Sequence, residues 1–247
     1  MIHKKPVCLV TGGSRGIGQA IVMELAQKGW SVAINYHHSQ QAAENLMHKC
    51  LQAGVPARAV CADVSQSDAV EDMFKDIENT LGPVTHLVNN AGVDLRCLLT
   101  DTSEEDWDRI MNVNLKGPFL CCRRALPHMI HIRFGRIVNI ASTWGICGAS
   151  FESVYAASKG GLIALTKSLA SEVGPSGITV NAIAPGPIQT AMLDSELTGE
   201  EKKELAADIP AGRLGYPEDV ATLCSFLLSD PAGYINGQII GVDGGWK

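Results

Sequence analysis

Hydrophobic and polar positions along the chain switch repeatedly between two spacings. Short apolar runs at Val7–Thr11, Ser31–Tyr36, Ala57–Cys61, His86–Val88, Arg136–Ala141, Thr179–Ile183 and Ile239–Val242 read as strands. Between them apolar residues recur at helical spacing. Ile17, Ala20, Ile21 and Leu25 mark a helix over 17–28 that Gly29 ends, and Gln40–Ala53 is closed by Gly54. Ser65, with Asp68 three residues later, opens a helix to Leu81 that stops at Gly82-Pro83. Ser103 and Asp106 start a long helical region from Glu104 to about Ile130, with a bend expected at Gly117-Pro118. Glu152–Val173 and Pro217–Leu228 follow, the second with proline at its first position. Met192–Ala207 is acidic and mixed, a weaker helical pattern expected to act as a lid over about 187–212. Strands alternating with helices imply an α/β Rossmann fold. The expected form is a doubly wound parallel sheet of about seven strands with helices on both faces. No linker, repeat or low-complexity stretch divides residues 1–247, so one domain is expected.

Composition narrows the partners. The net charge of −6 argues against nucleic acid or an anionic membrane, both of which want basic patches. Eight cysteines show neither Cys-x-x-Cys nor a Cys/His cluster at zinc spacing, so no metal site is expected and the thiols read as reduced, in a cytoplasmic protein. Cys147, between Ser142 and Tyr155, is the one expected to line a pocket. The start, Met1 to Val10, is basic then apolar, but the run stops at Thr11-Gly12-Gly13, too early for a secretion signal. No apolar run approaches the length of a membrane span.

The first candidate chemistry is Thr11-Gly-Gly-Ser-Arg-Gly-Ile-Gly18, a glycine turn between a strand and a helix. Gly12 and Gly16 let backbone approach a pyrophosphate, and Gly18 permits close helix packing. The helix start at Ser14, Gly16 and Ile17 offers amide donors and a favourable dipole. A ribose 2′-hydroxyl is usually met by an acid at the end of the second strand. Here that strand ends Asn35-Tyr36-His37-His38, without a carboxylate. Arg15, inside the turn, can meet a 2′-phosphate, so NADP(H) is preferred and NAD(H) is the alternative. Asp63, with Val64 after the third strand, is placed to accept from an adenine amino group.

The second is Ser153-Val-Tyr-Ala-Ala-Ser-Lys159, with Ser142 before it. On a helix, Tyr155 and Lys159 stack on one face. A phenol titrates near ~10, and a fixed positive charge pulls it toward neutral pH. Ser142 adds a hydroxyl to hold a substrate oxygen. Such a set gives a proton to a carbonyl oxygen or takes one from an alcohol.

With Asn89-Asn-Ala-Gly92, Asn114 and Pro185-Gly186 also in order, the chain resembles a single-domain short-chain dehydrogenase/reductase over nearly its whole length. Within that family it is most similar to bacterial 3-oxoacyl-[acyl-carrier-protein] reductases. The resemblance implies that Tyr155 is the acid/base, that Lys159 lowers its pKa and holds the nicotinamide ribose, and that Ser142 polarises the substrate carbonyl. It implies that Asn114 bends its helix and holds a water linking Lys159 to solvent. Asn90, Ala91 and Gly92 would frame the adenine ribose, and Pro185, Gly186, Ile188 and Thr190 would contact the nicotinamide. Arg133 matches a residue that meets acyl carrier protein, but the second expected arginine is missing near Ser176, which leaves that docking open. Asp94-Leu-Arg-Cys-Leu-Leu99 and Thr143-Trp-Gly-Ile-Cys147 are expected to wall the substrate site. Asp94, Trp144 and Cys147 are its contact residues beside Ser142 and Tyr155, and Leu95, Ile146 and Met192 make the cleft rather apolar. A small carbonyl compound or an acyl thioester is the expected substrate. The resemblance also implies a homotetramer through the long helices around 103–130 and 152–174, with the last strand at a second interface. The competing readings are an alcohol, polyol or sugar dehydrogenase, and a catalytically silent nucleotide sensor.

Overall fold

The computed structural model describes residues 6–247, the side chains of Met192, Ser195 and Glu196 excepted. The basic start, Met1 to Lys5, lies outside the described residues, as does the Met192 side chain expected at the cleft. Seven strands form one parallel sheet: β1 (Val7–Val10), β2 (Ser31–Tyr36), β3 (Ala57–Cys61), β4 (His86–Asn89), β5 (Gly135–Ile140), β6 (Ile178–Pro185) and β7 (Ile239–Val242). Their order is β3-β2-β1-β4-β5-β6-β7. β1, β4, β5 and β6 contain runs of valine, isoleucine and leucine and are buried on both faces, as central parallel strands must be.

Helices α1 (Gly16–Gln27), α2 (Gln40–Gln52) and α10 (Pro217–Leu228) cover one face. Helices α3 (Ser67–Thr80), α5 (Gly117–Ile132) and α7 (Ser153–Val173) cover the other. In α3 the helical spacing of Val70, Met73, Phe74 and Ile77 puts all four into the sheet. Side chains of this size stabilise by roughly 1.5–3 kcal/mol each when fully buried. The doubly wound sheet with helices on both faces is as the periodicity requires.

Two elements depart from the sequence reading. The long helical region is α4 (Glu104–Met111) and α5, joined by a π-helical turn at Asn112–Lys116. The irregularity therefore falls before Gly117-Pro118. Its cause is the Asn114 side chain, which binds the backbone of Val93 rather than running along the helix surface. Segment 192–207 is two helices, α8 (Ala191–Glu196) and α9 (Gly199–Asp208). The second is started by a capping box in which the Thr198 hydroxyl accepts from the Glu201 amide and the Glu201 carboxylate from the Thr198 amide. A short helix α6 (Trp144–Cys147) follows β5.

Strand order reverses between β1 and β4, whose crossovers leave in opposite directions. A crevice opens there at the carboxyl ends of the strands, the usual ligand position in open α/β sheets.

Candidate active site

The turn after β1 bares its backbone toward that crevice. Gly12 and Gly16 have φ of 59° and 53°, which side chains resist. A Cβ on Gly12 would come within 2.9 Å of Ala91 Cα, and one on Gly18 would overlap the Gly12 carbonyl. The turns after β1 and β4 are latched together. Asn90 Nδ2 donates to Thr11 O (2.9 Å) and Gly12 O (3.0 Å), while the Thr11 hydroxyl accepts from the Asn90 and Ala91 amides. A glycine turn facing the amino end of α1 fits a dinucleotide pyrophosphate.

Asn35 supports that turn from below. It is buried, its Oδ1 accepts from Gly12 N (3.1 Å), and its Nδ2 donates to Ala62 O (3.0 Å). A short amide between two strand ends satisfies backbone groups there, so Asn35 shapes the turn from beneath. Tyr36 and Ser14 are also buried. Arg15 is exposed, its carbonyl accepts from Gln19 N (3.2 Å), and its side chain makes no hydrogen bond or ion pair among the described residues. The His37 and His38 rings stand 3.8 Å apart, exposed, at the same strand end. Asp63 Oδ1 accepts from the Ser65 amide (2.9 Å). Burial raises the Asp63 pKa, but the bonds from Ser65 and the nearby imidazoles outweigh it and hold the carboxyl below its ordinary range. Val64 is buried beneath Gly117.

At the other end of the crevice, Ser142 follows β5 and its Oγ accepts from Trp144 N (3.2 Å). Tyr155 and Lys159 lie one turn apart on α7, with Lys159 Nζ 5.7 Å from the Tyr155 ring centroid. Lys159 is buried and donates to Ile140 O (2.9 Å). Burial pushes its ammonium down to about 8, so it is still mostly charged at neutral pH. A Cβ on Gly92 would stand 3.4 Å from both Lys159 Nζ and Asn114 Oδ1, so the β4 turn, the π-helical turn and α7 meet at one point. Asn114 accepts from Val93 N (2.8 Å) and donates to Val93 O (2.8 Å) and Ser158 Oγ (3.1 Å). Gly160 and Gly161 of α7 give room to the Gly145 carbonyl and the Leu115 side chain.

The segment after β6 is fixed from both sides. Pro185 O accepts from Thr143 N and Oγ1, and Gly186 N donates to Val242 O. Thr190 caps α8 by accepting from Leu193 N (3.4 Å), and its methyl faces Gly16. Ile188 is buried against Gly215 in the core, which leaves only its main chain for a ligand. A cavity of about 840 Å³ lies beyond Thr190, between α1, α10 and the α8–α9 segment, with Gly16 and Thr190 in its lining.

The substrate side holds two residues that sequence reasoning missed. Trp144 packs on Trp246, ring centroids 4.9 Å apart. The Glu152 carboxyl accepts from the Trp144 side chain; burial and the neighbouring Asp94 raise its pKa, against the pull of Arg96 and that bond. Glu152 stands three residues before Tyr155, a spacing that was readable. Nothing local marked Trp246. Cys147 is exposed and its thiol turns back to Thr143 O (3.3 Å). Arg133, at the carboxyl end of α5, donates to Pro175 O (2.9 Å) beside Ser176. It precedes β5 whereas Ser142 follows it, so within one chain the two lie at opposite ends of a strand, roughly 20 Å apart. Among the described residues no three His, Cys, Asp or Glu side chains group as a metal site, and no helix is long and apolar enough to cross a membrane.

A family model described as enoyl-(acyl carrier protein) reductase matches residues 12–247. The chain belongs to the short-chain dehydrogenase/reductase family. It is 43% identical over 237 residues, 96% of each chain, to a 3-oxoacyl-[acyl-carrier-protein] reductase of Staphylococcus aureus. A protein of the same description from Thermotoga maritima is 41% identical over 242 residues, 97% of this chain and 96% of its own. An uncharacterized oxidoreductase of Bacillus subtilis is 39% identical over 239 residues, 96% of this chain and 97% of its own. Membership makes this chain an oxidoreductase acting on CH–OH or C=O groups.

Proposed function

We propose that the protein is an NADPH-dependent carbonyl reductase that takes 3-oxoacyl thioesters. The observation that carries this is the Tyr155–Lys159 stack beside Ser142, facing the same crevice as the glycine cradle. When bound there, NADPH supplies a hydride to the carbonyl carbon. The chain's own groups act on the oxygen. Ser142 donates a hydrogen bond to it, Tyr155 protonates it, and the buried Lys159 charge stabilises the phenolate left behind. Asn114 holds the π-helical turn against Val93 and Ser158 and so positions Lys159. Donors aimed at an oxygen favour carbonyl reduction over reduction of a carbon–carbon double bond.

Gly12, Gly16, Ile17 and Gly18 would hold the pyrophosphate, Arg15 the 2′-phosphate and Asp63 the adenine. Gly92, Pro185, Gly186 and Thr190 would flank the ribose and nicotinamide. Segment 187–212 would close over the cleft as a lid. The 3-oxoacyl substrate comes from the names of the Staphylococcus and Thermotoga relatives. Acyl carrier protein as the donor is supported by Arg133 and weakened by Ser176. A homotetramer in the cytoplasm completes the reading. A second reading, oxidation of a hydroxylated substrate, is favoured by the Asp94 and Glu152 carboxyls beside the cleft, which accept hydrogen bonds from hydroxyls.

NADPH and NADH titrations, followed by tryptophan fluorescence, test the cofactor. NADPH is expected to bind at least about tenfold more tightly, and Arg15→Ala to remove that preference while sparing NADH. Equal affinities in the wild type would sink the 2′-phosphate argument. Oxidation of NADPH by acetoacetyl thioesters, free and carrier-bound, then decides the substrate.

A further inference from the structure

The tail after β7 is built into the substrate cleft. Asp243 Oδ1 accepts from the Gly245 amide, and Asp243 O from the Trp246 amide. Those bonds turn the chain back over the strand ends, where Gly186 is bare enough to admit Asp243. Trp246 then lies 4.9 Å from Trp144, rings inclined by 58°. Trp144 is two residues past Ser142, and its amide binds the Ser142 hydroxyl. Its side chain is anchored by Glu152, one helical turn before Tyr155. Both indoles are half-buried, and Lys247 Nζ lies over the Trp246 ring, 4.9 Å from its centroid. The same tail is joined to the end of the α8–α9 segment. Gly244 O accepts from Ala211 N (3.1 Å), and Gly244 is bare where Ile209 and Ala211 cross it.

From this arrangement we infer that Trp246 is a specificity-determining residue. With Trp144 it forms the aromatic wall against which the group beside the reacting carbonyl lies, selecting ketones that carry a planar or bulky apolar substituent. Large aromatic rings offer wide apolar contact at little entropic cost. Trp246 itself comes from the segment after β7, whereas Ser142, Tyr155 and Lys159 come from the end of β5 and from α7. This inference rests on the carbonyl-reductase reading for its substrate, and its test separates the two.

The probes are 4-phenyl-2-butanone and acetone, titrated into the NADP+ complexes of wild type, Trp246→Phe and Trp246→Ala by calorimetry. NADPH oxidation is measured in parallel. The phenyl ketone is expected to bind Trp246→Ala at least tenfold more weakly than wild type, and Trp246→Phe within threefold. The acetone KM should change less than twofold in Trp246→Ala. An exciton couplet in the far-ultraviolet circular dichroism, present in wild type and lost in Trp246→Ala, would report the pair in solution. Equal phenyl-ketone affinity in wild type and Trp246→Ala, equal losses for both ketones, or no phenyl-ketone binding to wild type would overturn the inference. Binding that follows this pattern without NADPH oxidation would uphold the wall and defeat the reductase reading alone.

Discussion

At the scale of single residues, the site holds a charge that the fold resists. Lys159 is buried, and its pKa falls from 10.5 to about 8 for that reason. A depressed lysine favours the neutral form in the folded state. Its contribution to stability is therefore full above the unfolded value, near 10.5, and is lost as pH falls through about 8. At neutral pH the protein carries most of the resulting penalty, roughly 3 kcal/mol before relaxation. Lys159→Met removes it but forfeits the bond to Ile140 O. The variant is expected to be more stable by roughly 1–2 kcal/mol in urea unfolding at pH 7, and slower in turnover by at least ~100-fold. A variant that is both less stable and still active would contradict this account. Sequence alone placed Tyr155 over Lys159, because four residues make one helical turn. It could not place Lys159 against Ile140, since that contact depends on how α7 lies on the sheet.

At the scale of elements, the π-helical turn between α4 and α5 is held by one side chain. Asn114 satisfies both the amide and the carbonyl of Val93, and Ser158 ties the same amide to α7. Asn114→Ala would leave two backbone groups unpaired in a buried place, each costing roughly 1–3 kcal/mol. A loss of about 2–4 kcal/mol is expected, read as a lower urea midpoint, together with slower turnover at unchanged NADPH affinity. Unchanged stability would mean that water replaces the amide there. The sequence pattern continued as one helix through this region because Ile110, Leu120 and Cys121 keep helical spacing on either side. A one-residue widening barely disturbs that spacing. The pattern alone put a bend at the proline, where a local rule exists, whereas the family resemblance put it at Asn114; the turn lies at Asn114, and Pro118 sits harmlessly in the first turn of α5. Segment 192–207 was weakly patterned because α9 buries none of its residues, so no apolar stripe was required.

At the scale of the molecule, the end of the sheet opposite the crevice carries its own titrating group. His86 opens β4 between Trp30 (4.5 Å) and Phe134 (5.5 Å), with Nδ1 2.9 Å from the Thr85 hydroxyl. Burial first, and the nearby Arg136 charge second, push its pKa down to about 3. The fold thus requires neutral His86. Stability from this group is full above the unfolded value of about 6.5 and is lost as pH falls from there toward 3. By pH 4.5 roughly 2–3 kcal/mol should be gone. Urea midpoints of wild type and His86→Gln between pH 7 and 4.5 check this: the wild type should fall more steeply. Parallel profiles would show that His86 takes no part in acid unfolding.

Much of the molecule was already determined by the sequence. The seven strands, the helices on both faces, and the order of glycine turn, Ser142, Tyr155 and Lys159 follow from period, caps and backbone demands, which are local. Tertiary structure alone decided which groups those positions meet. Asn35 lies beneath the glycine turn because β2 and β3 bring three carbonyls to its amide. Ile188 left the crevice for the core, where Gly215 leaves room for it. Gly160 and Gly161 receive parts of their own chain. Trp246 reaches Trp144 across about a hundred residues of sequence because β7 is the sheet neighbour of β6, whose strand end adjoins the loop after Ser142. Local periodicity specifies which face of an element is buried. Only the packed sheet specifies what that face touches, because such contacts join residues that the chain itself keeps far apart.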